Sequence, residues 1–246
     1  MRKIRQAVAA LFAIAATAGA ALAGTCRSKE FDGTGYAVCE VHAGEDLRLF
    51  LNDASGAPLG TFERLREMLA PGERVVFAMN AGMYHPDRSP VGLYLENGRQ
   101  TGRLVRGPTG GNFGLRPNGV FCIGPDRFAV IETGAYAQSP PDCRFATQSG
   151  PMLVIGAKLH PRFLPGSASR NIRNGVGVSA DGRTAWFAIS DAPVTFHAFA
   201  RLFRDGLGAR DALYLDGSIS RLYAPELGRD DPGFPMGPMV GLVVPG

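Results

Sequence analysis

Hydrophobic positions along this chain fall in short runs, and polar, Gly or Pro residues separate most of them. Short apolar or alternating runs bounded by turn residues are typical of β-strands. The strands predicted in this way are residues 36–41, 47–51, 75–79, 91–95, 119–123, 128–131, 152–155, 175–178, 184–189, 212–215 and 239–244. The first two flank a polar turn at 43–46, so we expect them to pair as a hairpin.

Two segments have the periodicity of an amphipathic helix. The first starts after Thr61, a favourable N-cap, carries apolar residues at 62, 65 and 69, and ends at Pro71-Gly72. The second covers residues 195–207 and also opens on a threonine, Thr195; its apolar stripe runs through positions 196, 199, 200, 203 and 207. Many strands with two irregularly placed helices predict an α+β fold, a single domain of mixed or antiparallel β-sheet with a few helices packed on it. A doubly wound α/β fold is the alternative.

The first 23 residues predict a secretory signal peptide. Arg2, Lys3 and Arg5 precede a largely apolar run at 7–20, and Ala21-Leu22-Ala23 supplies the small residues that signal peptidase reads. The run is short and alanine-rich, which disfavours the alternative of a membrane anchor, since a span needs about 20 strongly apolar residues. We therefore expect cleavage after Ala23, a periplasmic or secreted protein consisting of residues 24–246, and no integral membrane segment after cleavage.

Charge and composition narrow the classes of partner. The chain has 26 Lys and Arg against 22 Asp and Glu, and three of the basic residues lie in the predicted signal peptide. The mature chain is therefore nearly neutral, so we expect no nucleic acid partner. The 33 glycines and 18 prolines show no collagen-like period and are typical of many turns between short strands.

The mature chain has four cysteines, Cys26, Cys39, Cys122 and Cys143. Export and an even count favour two disulfides, and proximity in sequence favours Cys26–Cys39 and Cys122–Cys143. The alternative is a zinc site, but neither a C-x-x-C nor an H-x₃₋₅-H spacing is present. The four histidines are scattered, so the sequence predicts no metal site.

Polar residues cluster in four segments, 80–85, 147–151, 167–174 and 215–220, where predicted strands meet Gly-containing loops. Asp216 ends an apolar strand and precedes Gly217, a position where an aspartate is held in place and its pKa can be tuned; a turn-forming aspartate is the alternative. Arg170 and Arg173 flank Asn171 and could hold a phosphate or carboxylate, because guanidinium groups bind oxyanions in a bidentate manner. A solvated loop is the alternative interpretation for these arginines.

The candidate residues fall into two groups by expected role. Asp216 and Arg173 are the catalytic candidates. The substrate-binding candidates are Asn80, Tyr84, His85, Gln148, Ser149, Arg170, Asn174, Ser218 and Ser220. Ser149 could also be read as a serine peptidase nucleophile, but the chain lacks a G-x-S-x-G motif. It also lacks a P-loop, a dinucleotide fingerprint and an EF-hand.

Taken in order, these segments resemble motifs of the phosphodiester glycosidase family. Asn80-Ala81-Gly82-Met83-Tyr84 resembles the family's N-G-G-F-F, and Val91-Gly92-Leu93 with Asn97-Gly98 resembles G-L-x-I…N-G. Residues 173–178 with 181–183 resemble R-T-A-I-G-V…D-G-R, and residues 207–217 resemble L-G-x-x-D-A-L-N-L-D-G. The resemblance covers residues 75–244. It departs after Asp216-Gly217, where the family often has D-G-G-G-S and this chain has Ser218-Ile219-Ser220.

The resemblance implies a hydrolase that cleaves sugar-1-phosphodiesters in cell-envelope or extracellular polysaccharide. It then implies that Arg173, with Arg170, holds the departing phosphate and that Asp216 acts as base, nucleophile or oxocarbenium stabiliser. Asn80, Asn174 and Ser220 would orient the substrate, and Tyr84 would stack on the sugar ring. The expected partner is a glycan or phosphosugar and no cofactor is expected, although the resemblance allows a bound calcium ion. A non-catalytic glycan-binding accessory protein on the same scaffold is the alternative function.

Overall fold

The computed structural model describes residues 24–107, 109–216 and 219–246. The predicted signal peptide and Ser218 lie outside the described residues. In chain order the strands are β1 (Cys26–Phe31), β2 (Thr34–His42), β3 (Asp46–Phe50), β4 (Glu73–Asn80), β5 (Tyr94–Glu96), β6 (Arg99–Gly102), β7 (Gly119–Ile123), β8 (Phe128–Glu132), β9 (Phe145–Ser149), β10 (Met152–Ile155), β11 (Lys158–Leu159), β12 (Asn174–Val178), β13 (Thr184–Ser190), β14 (Asp211–Asp216), β15 (Leu222–Ala224), β16 (Arg229–Asp230) and β17 (Met239–Pro245).

These strands form three sheets, and the strand pairs within them are antiparallel. The first has the order β1-β2-β13-β12-β14-β10-β11, the second β16-β15-β4-β17-β3 and the third β6-β5-β9-β7-β8. The α+β prediction is confirmed in its coarse form, with strands outweighing helices, and the antiparallel pairing does not fit the doubly wound alternative. Because neighbours in each sheet are often distant in sequence, residues from separate segments meet at the sheet ends.

The predicted hairpin of residues 36–41 and 47–51 is wrong, although both strands exist. β2 pairs with β1 and β13, whereas β3 pairs with β17 in another sheet. The hydrophobic pattern does not predict β1, because Cys26–Phe31 is mostly polar and largely exposed, as is common for an edge strand. The polar turn after His42 therefore carries the chain from one sheet to the next.

Both predicted helices are present in shortened form. Helix α1 (Phe62–Glu67) has the expected cap, in which Thr61 accepts a hydrogen bond from the Arg64 amide at 3.2 Å. Helix α3 (Phe196–Arg201) is capped by Thr195 and continues as a π-helical turn at Leu202–Gly206. A third helix, α2 (Thr133–Gln138), was not predicted. Within the described residues, no helix is long and apolar enough to cross a membrane.

One phenylalanine from each sheet meets at the centre of the core. Phe187 of β13 packs against Phe77 of β4 at 5.4 Å and against Phe121 of β7 at 5.6 Å between ring centroids. These three side chains are buried, and tilted or edge-on aromatic pairs add to the free energy gained by burial. The three sheets are thus packed on a common hydrophobic core.

Both predicted disulfides are confirmed. Cys26–Cys39 joins the register-matched residues of β1 and β2, and Cys122–Cys143 joins β7 to the residue two positions before β9. The second bond closes the longer loop, 21 residues against 13. It encloses β8 and α2, so it restrains the outer part of the third sheet.

We expect the double substitution C122S/C143S to lower the free energy of unfolding by about 3 kcal/mol, because the unfolded chain regains the entropy of a loop of this length. Urea unfolding at neutral pH measures the change. Dithiothreitol should weaken the wild type more than this variant, which has only the first bond left to lose. Equal sensitivity to dithiothreitol would contradict the assigned contribution.

Candidate functional site

Two buried asparagines connect the first and second sheets. Asn80 ends β4 and Asn174 begins β12, and neither side chain is exposed. The Asn174 amide Nδ2 donates to the Asn80 carbonyl oxygen at 2.8 Å and to Asn80 Oδ1 at 3.0 Å. Asn174 Oδ1 accepts from the Asp216 backbone amide at 2.9 Å, and Asn80 Oδ1 accepts from the Arg221 amide at 3.1 Å. The pair therefore positions the backbone of Asp216.

The third sheet is tied to the same place by Thr147 and Ser149 of β9. Thr147 Oγ1 donates to the Ala81 carbonyl at 2.9 Å, and Ser149 Oγ donates to the Leu215 carbonyl at 2.8 Å. Gln148 is also buried, and its amide is fully used: Oε1 accepts from the amides of residues 93 and 105, and Nε2 donates to the carbonyl of residue 105 and the hydroxyl of residue 133. We call this set, Asn80, Thr147, Gln148, Ser149 and Asn174, the polar junction.

A cavity of about 700 Å³ opens beside the polar junction. Three of the predicted site residues line it: Tyr84, His85 and Asp216. Among the described residues that line the cavity, Asp216 is the one carboxylate, and it is 8% exposed. The remaining described lining residues are Met83, Val91, Thr109, Gly110, Gly111, Asn112, Phe113 and Ile219.

Tyr84 forms one wall and stays a hydrogen-bond donor at neutral pH. Burial, and then the negative charge of Asp216, raise the pKa of its phenol above the ordinary value. Its hydroxyl donates to the Pro235 carbonyl at 3.3 Å, and the Arg88 guanidinium lies 5.4 Å from its ring centroid. The ring is thus fixed at the cavity wall, where its face or edge can contact a ligand.

Arg173 lies behind the cavity wall and is completely buried. Its Nε donates to the Val194 carbonyl at 2.9 Å and its Nη2 to the Ser169 carbonyl at 3.3 Å. Nη1 has no hydrogen-bond partner among the described residues, and none of the ion pairs found there includes this guanidinium. Burial lowers the pKa of Arg173, but a guanidinium remains charged at neutral pH.

A column of stacked rings supports this guanidinium. Arg173 Cζ lies 3.6 Å from the ring centroid of Phe196, whose ring stacks on Phe163 at 5.1 Å; Phe163 in turn stacks on His160 at 4.6 Å. His160, Phe163, Phe196 and Arg173 are called the aromatic column below. Because the Phe196 ring packs against one face of the guanidinium, the orientation of the guanidinium and of its Nη1 atom is restricted.

Tyr214 links Arg173 to the cavity. Tyr214 and Asp216 lie close enough in β14 for the carboxylate charge to act on the phenol, and a β-bulge between them interrupts the regular alternation of the strand. The Tyr214 hydroxyl is buried without an aligned hydrogen bond to a described residue, and it neighbours both the Arg173 guanidinium and the Asn112 side chain. Burial raises the pKa of Tyr214 well above its usual range. The Tyr214 hydroxyl therefore lies between the Arg173 guanidinium and the side chain of the cavity residue Asn112.

The other predicted site residues are placed differently. Ser220 Oγ lies 3.0 Å from the Asp216 carbonyl and 3.2 Å from the Ile172 carbonyl, so it fixes the chain after β14. Arg170 is exposed and does not line the cavity. Contact of Asn80, Gln148, Ser149, Asn174 and Ser220 with a ligand stays a prediction, while the structure places their polar atoms in contacts within the protein.

Sequence reasoning missed Tyr214 and the Gly-rich segment 107–114. Residues 109–113 form part of the cavity wall. A signal was present in the sequence, because four glycines, Pro108 and Asn112 lie between two strands and are typical of a loop. No local pattern indicated Tyr214, because its neighbours Arg173 and Asn112 are distant from it in the chain.

Groups of side chains that could hold a metal ion were sought as well. The described residues contain no cluster of three or more His, Cys, Asp or Glu side chains able to ligate one. Hard cations such as calcium prefer several carboxylate and carbonyl oxygens. The described cavity residues do not supply such a set, and no step below depends on a metal.

Comparisons with known proteins agree on one family. The family model described as phosphodiester glycosidase matches residues 73–235, which include the cavity residues and the polar junction. Uncharacterized protein YigE of Escherichia coli (strain K12) is 37% identical over 179 residues, covering 73% of this chain and 70% of that protein.

Two solved structures share the fold. The catalytic domain of zebrafish N-acetylglucosamine-1-phosphodiester alpha-N-acetylglucosaminidase, auto-inhibited by its pro-peptide, has a TM-score of 0.58 and 12% identity; the match covers 89% of this chain and 81% of that one. A hypothetical protein from Synechocystis has a TM-score of 0.53 and 16% identity, with coverage of 90% and 62%. At these identities the likeness concerns the fold alone.

We expect the substitution N174A to lower the free energy of unfolding by about 3 kcal/mol, because it leaves the Asp216 amide and the Asn80 carbonyl buried without their partner. Urea unfolding provides the measurement. Asn52→Ala, at an exposed position, is the matched control and should change stability by less than about 0.5 kcal/mol. If N174A is as stable as the wild type, the structural role of the polar junction is wrong.

We also expect His160 to make the protein less stable in acid. Burial lowers the pKa of this histidine, whose Nδ1 accepts a hydrogen bond from the Arg162 amide at 3.2 Å. Below about pH 6.5 the unfolded chain binds a proton at this residue more readily than the folded chain, so stability falls as pH falls. The stability difference between wild type and His160→Gln should shrink from pH 7 to pH 5 and stay constant above pH 7.5; a constant difference over the whole range would contradict this.

Proposed function

The chain belongs to the phosphodiester glycosidase family, and from this membership we propose that it is an exported hydrolase of sugar-1-phosphodiesters in cell-envelope or extracellular polysaccharide. The relative of known structure is named for N-acetylglucosamine-1-phosphodiester, so this sugar is the first to test. The observation that carries the proposal is the buried guanidinium of Arg173, which has no anionic partner among the described residues and lies 5.4 Å from the ring of Tyr214, two positions before the cavity carboxylate Asp216.

The charge of Arg173 supports a phosphate ligand. A buried cation is costly unless it is paired, and here the described protein supplies carbonyl oxygens but no carboxylate within ion-pair distance. A phosphate oxygen could complete the coordination, with Nη1 of Arg173 and the hydroxyl of Tyr214 as donors. Because the Asn112 side chain neighbours the Tyr214 hydroxyl, the ligand would have to displace or share the contacts of that side chain.

Asp216 would act at the sugar side of the scissile bond. In the proposed reaction, the bond between the anomeric carbon and the phosphate oxygen breaks, and the phosphomonoester leaves with the bonding electrons. A water oxygen becomes bonded to the anomeric carbon, and its proton passes to Asp216 or to solvent. The carboxylate can equally stabilise the positive charge that develops on the sugar ring.

A single carboxylate suits this leaving group. Ordinary glycosidases use two carboxyl groups, one of them a general acid that protonates the leaving oxygen. A phosphomonoester has a second pKa near 6 and departs as a stable anion, so positive charge can replace the acid. The presence of one acidic residue among the described lining residues therefore favours a phosphodiester over an ordinary glycoside.

Export is supported by two features of different kinds. The signal-peptide pattern of residues 1–23 directs secretion. The disulfides Cys26–Cys39 and Cys122–Cys143 persist in oxidising compartments such as the periplasm or the medium. A periplasmic or secreted enzyme would meet phosphate-linked envelope and extracellular polysaccharides directly.

A serine peptidase function loses its support, because the Ser149 hydroxyl donates to the Leu215 carbonyl instead of to a histidine. The non-catalytic alternative, a glycan-binding accessory protein, is favoured by the departure from the family pattern after Asp216-Gly217. It predicts that wild type and Asp216→Asn bind a phosphosugar equally and that neither turns it over.

We expect the mature protein to release free sugar from a panel of sugar-1-phosphodiesters and D216N to lose on the order of a hundredfold or more in kcat. Released reducing sugar is the readout, and oxygen-18 water should label the sugar and not the phosphate. A loss below about tenfold would remove Asp216 from the mechanism. Asp142→Asn, at an exposed position, is the matched control and should retain wild-type activity.

We expect Arg173→Lys to separate phosphate binding from folding. Its activity on the phosphodiester should fall on the order of a hundredfold, because an ammonium cannot keep the hydrogen bonds to the Val194 and Ser169 carbonyls and also donate to the phosphate as the guanidinium does. Thermal unfolding of the variant shows whether the aromatic column still folds around it. Arg162→Lys, an exposed arginine in the same region, serves as control. Equal phosphodiester activity in R173K and wild type would exclude Arg173 from phosphate binding.

A further inference from the structure

Phe234 is the most exposed large hydrophobic side chain among the described residues, with 75% of its surface exposed. Leaving a phenyl ring in water is unfavourable, and an exposed aromatic residue beside a cavity often contacts a ligand. Exposure alone does not identify that ligand. The anchoring of the backbone around Phe234 and the contact of this backbone with Tyr84 indicate which kind of ligand could bind there.

The backbone around Phe234 is anchored on both sides. Arg221 is buried, and its guanidinium donates to the carbonyls of Asp231 at 2.8 Å, Gly233 at 3.3 Å and Phe234 at 3.0 Å. Downstream, Met236 is fully buried and its amide donates to the Gly60 carbonyl at 2.8 Å. The exposed ring is therefore presented by an ordered segment and not by a loose loop.

This segment runs along the cavity wall. The carbonyl of Pro235, the residue next to Phe234, accepts the hydrogen bond from the hydroxyl of Tyr84, which lines the cavity. Gly237 lies so close to Tyr84 that a Cβ at position 237 would be 2.5 Å from the tyrosine Cβ. Phe234 is thus next in the chain to a residue that contacts Tyr84, one of the residues lining the cavity.

We propose that Phe234 is a stacking platform for a second sugar ring of the substrate, outside the cavity that holds the scissile bond. This inference rests on the proposed function and extends it to a substrate with at least two sugar rings. The C–H face of a pyranose ring is apolar and flat enough to cover a phenyl ring while its hydroxyl groups remain in water. The nearby carboxylates of Asp230 and Asp231 form ion pairs with Arg66 and Arg229, so these four residues add no net positive charge that would attract an anionic lipid surface.

The test compares two substrates in variants at two exposed positions. The substrates are the most reactive sugar-1-phosphodiester of the panel and the same compound extended by one sugar. F234A should raise KM for the extended substrate about tenfold, leave its kcat unchanged, and leave both constants unchanged for the short one. F234Y keeps an aromatic face and should restore the wild-type KM. Leu164→Ala, a residue that is 67% exposed, is the matched control and should change neither substrate.

A binding experiment distinguishes failure of the stacking platform from failure of the proposed hydrolase activity. If wild type turns over no phosphodiester, saturation-transfer NMR with single sugars and their linear oligomers replaces kinetics. Tighter binding of oligomers that is lost in F234A then supports the platform without catalysis. The platform is wrong if F234A weakens short and extended ligands equally, if wild type does not prefer extended ligands, or if Phe234 is needed instead for binding to phosphatidylcholine vesicles.

Discussion

The arrangement of the site depends on a few buried polar groups that have to find partners within the protein. The Asn174 side-chain amide donates to the carbonyl and the side-chain oxygen of Asn80, and these hydrogen bonds join two sheets. Because a buried amide without a partner is costly, small displacements of either strand are opposed. The amide of Asp216 is held by the same pair. The carboxylate therefore takes its position from the packing of whole sheets and not from a flexible loop.

Arg173 shows a second way of placing a charged group. Carbonyl oxygens and a stacked ring replace the carboxylate that usually accompanies a buried arginine. This environment leaves the positive charge uncompensated within the described residues and leaves one nitrogen available. A negatively charged ligand would be attracted by the positive charge and could accept a hydrogen bond from this nitrogen. In the proposed function, Asp216 beside the polar junction would act on the sugar and Arg173 of the aromatic column would bind the phosphate.

Local patterns in the sequence predicted the elements better than their partners. The apolar runs located β7 and β10 at their observed bounds, and Thr61 and Thr195 marked the two helix starts. Hydrophobic patterning does not specify which strands pair, and the hairpin prediction for β2 and β3 failed for that reason. β9 was read as a site segment because it carries Thr, Gln and Ser; their polar atoms are satisfied by distant carbonyls and amides, which only the tertiary structure reveals. Asp216, Tyr84 and His85 come from two separate segments and line the same cavity, and their roles in catalysis and binding stay predictions.

The aromatic column has a consequence for how this protein could diverge from its relatives. His160, Phe163 and Phe196 are absent from the described cavity lining, yet each stacks in line with the guanidinium of Arg173. A change of ring size at any of the three would shift the arginine without altering a residue that touches the ligand. In the proposed function, substitutions at these positions could therefore change the preference for one phosphosugar over another. We expect natural substitutions at the three positions to be correlated, because a change in one ring alters the packing of the others.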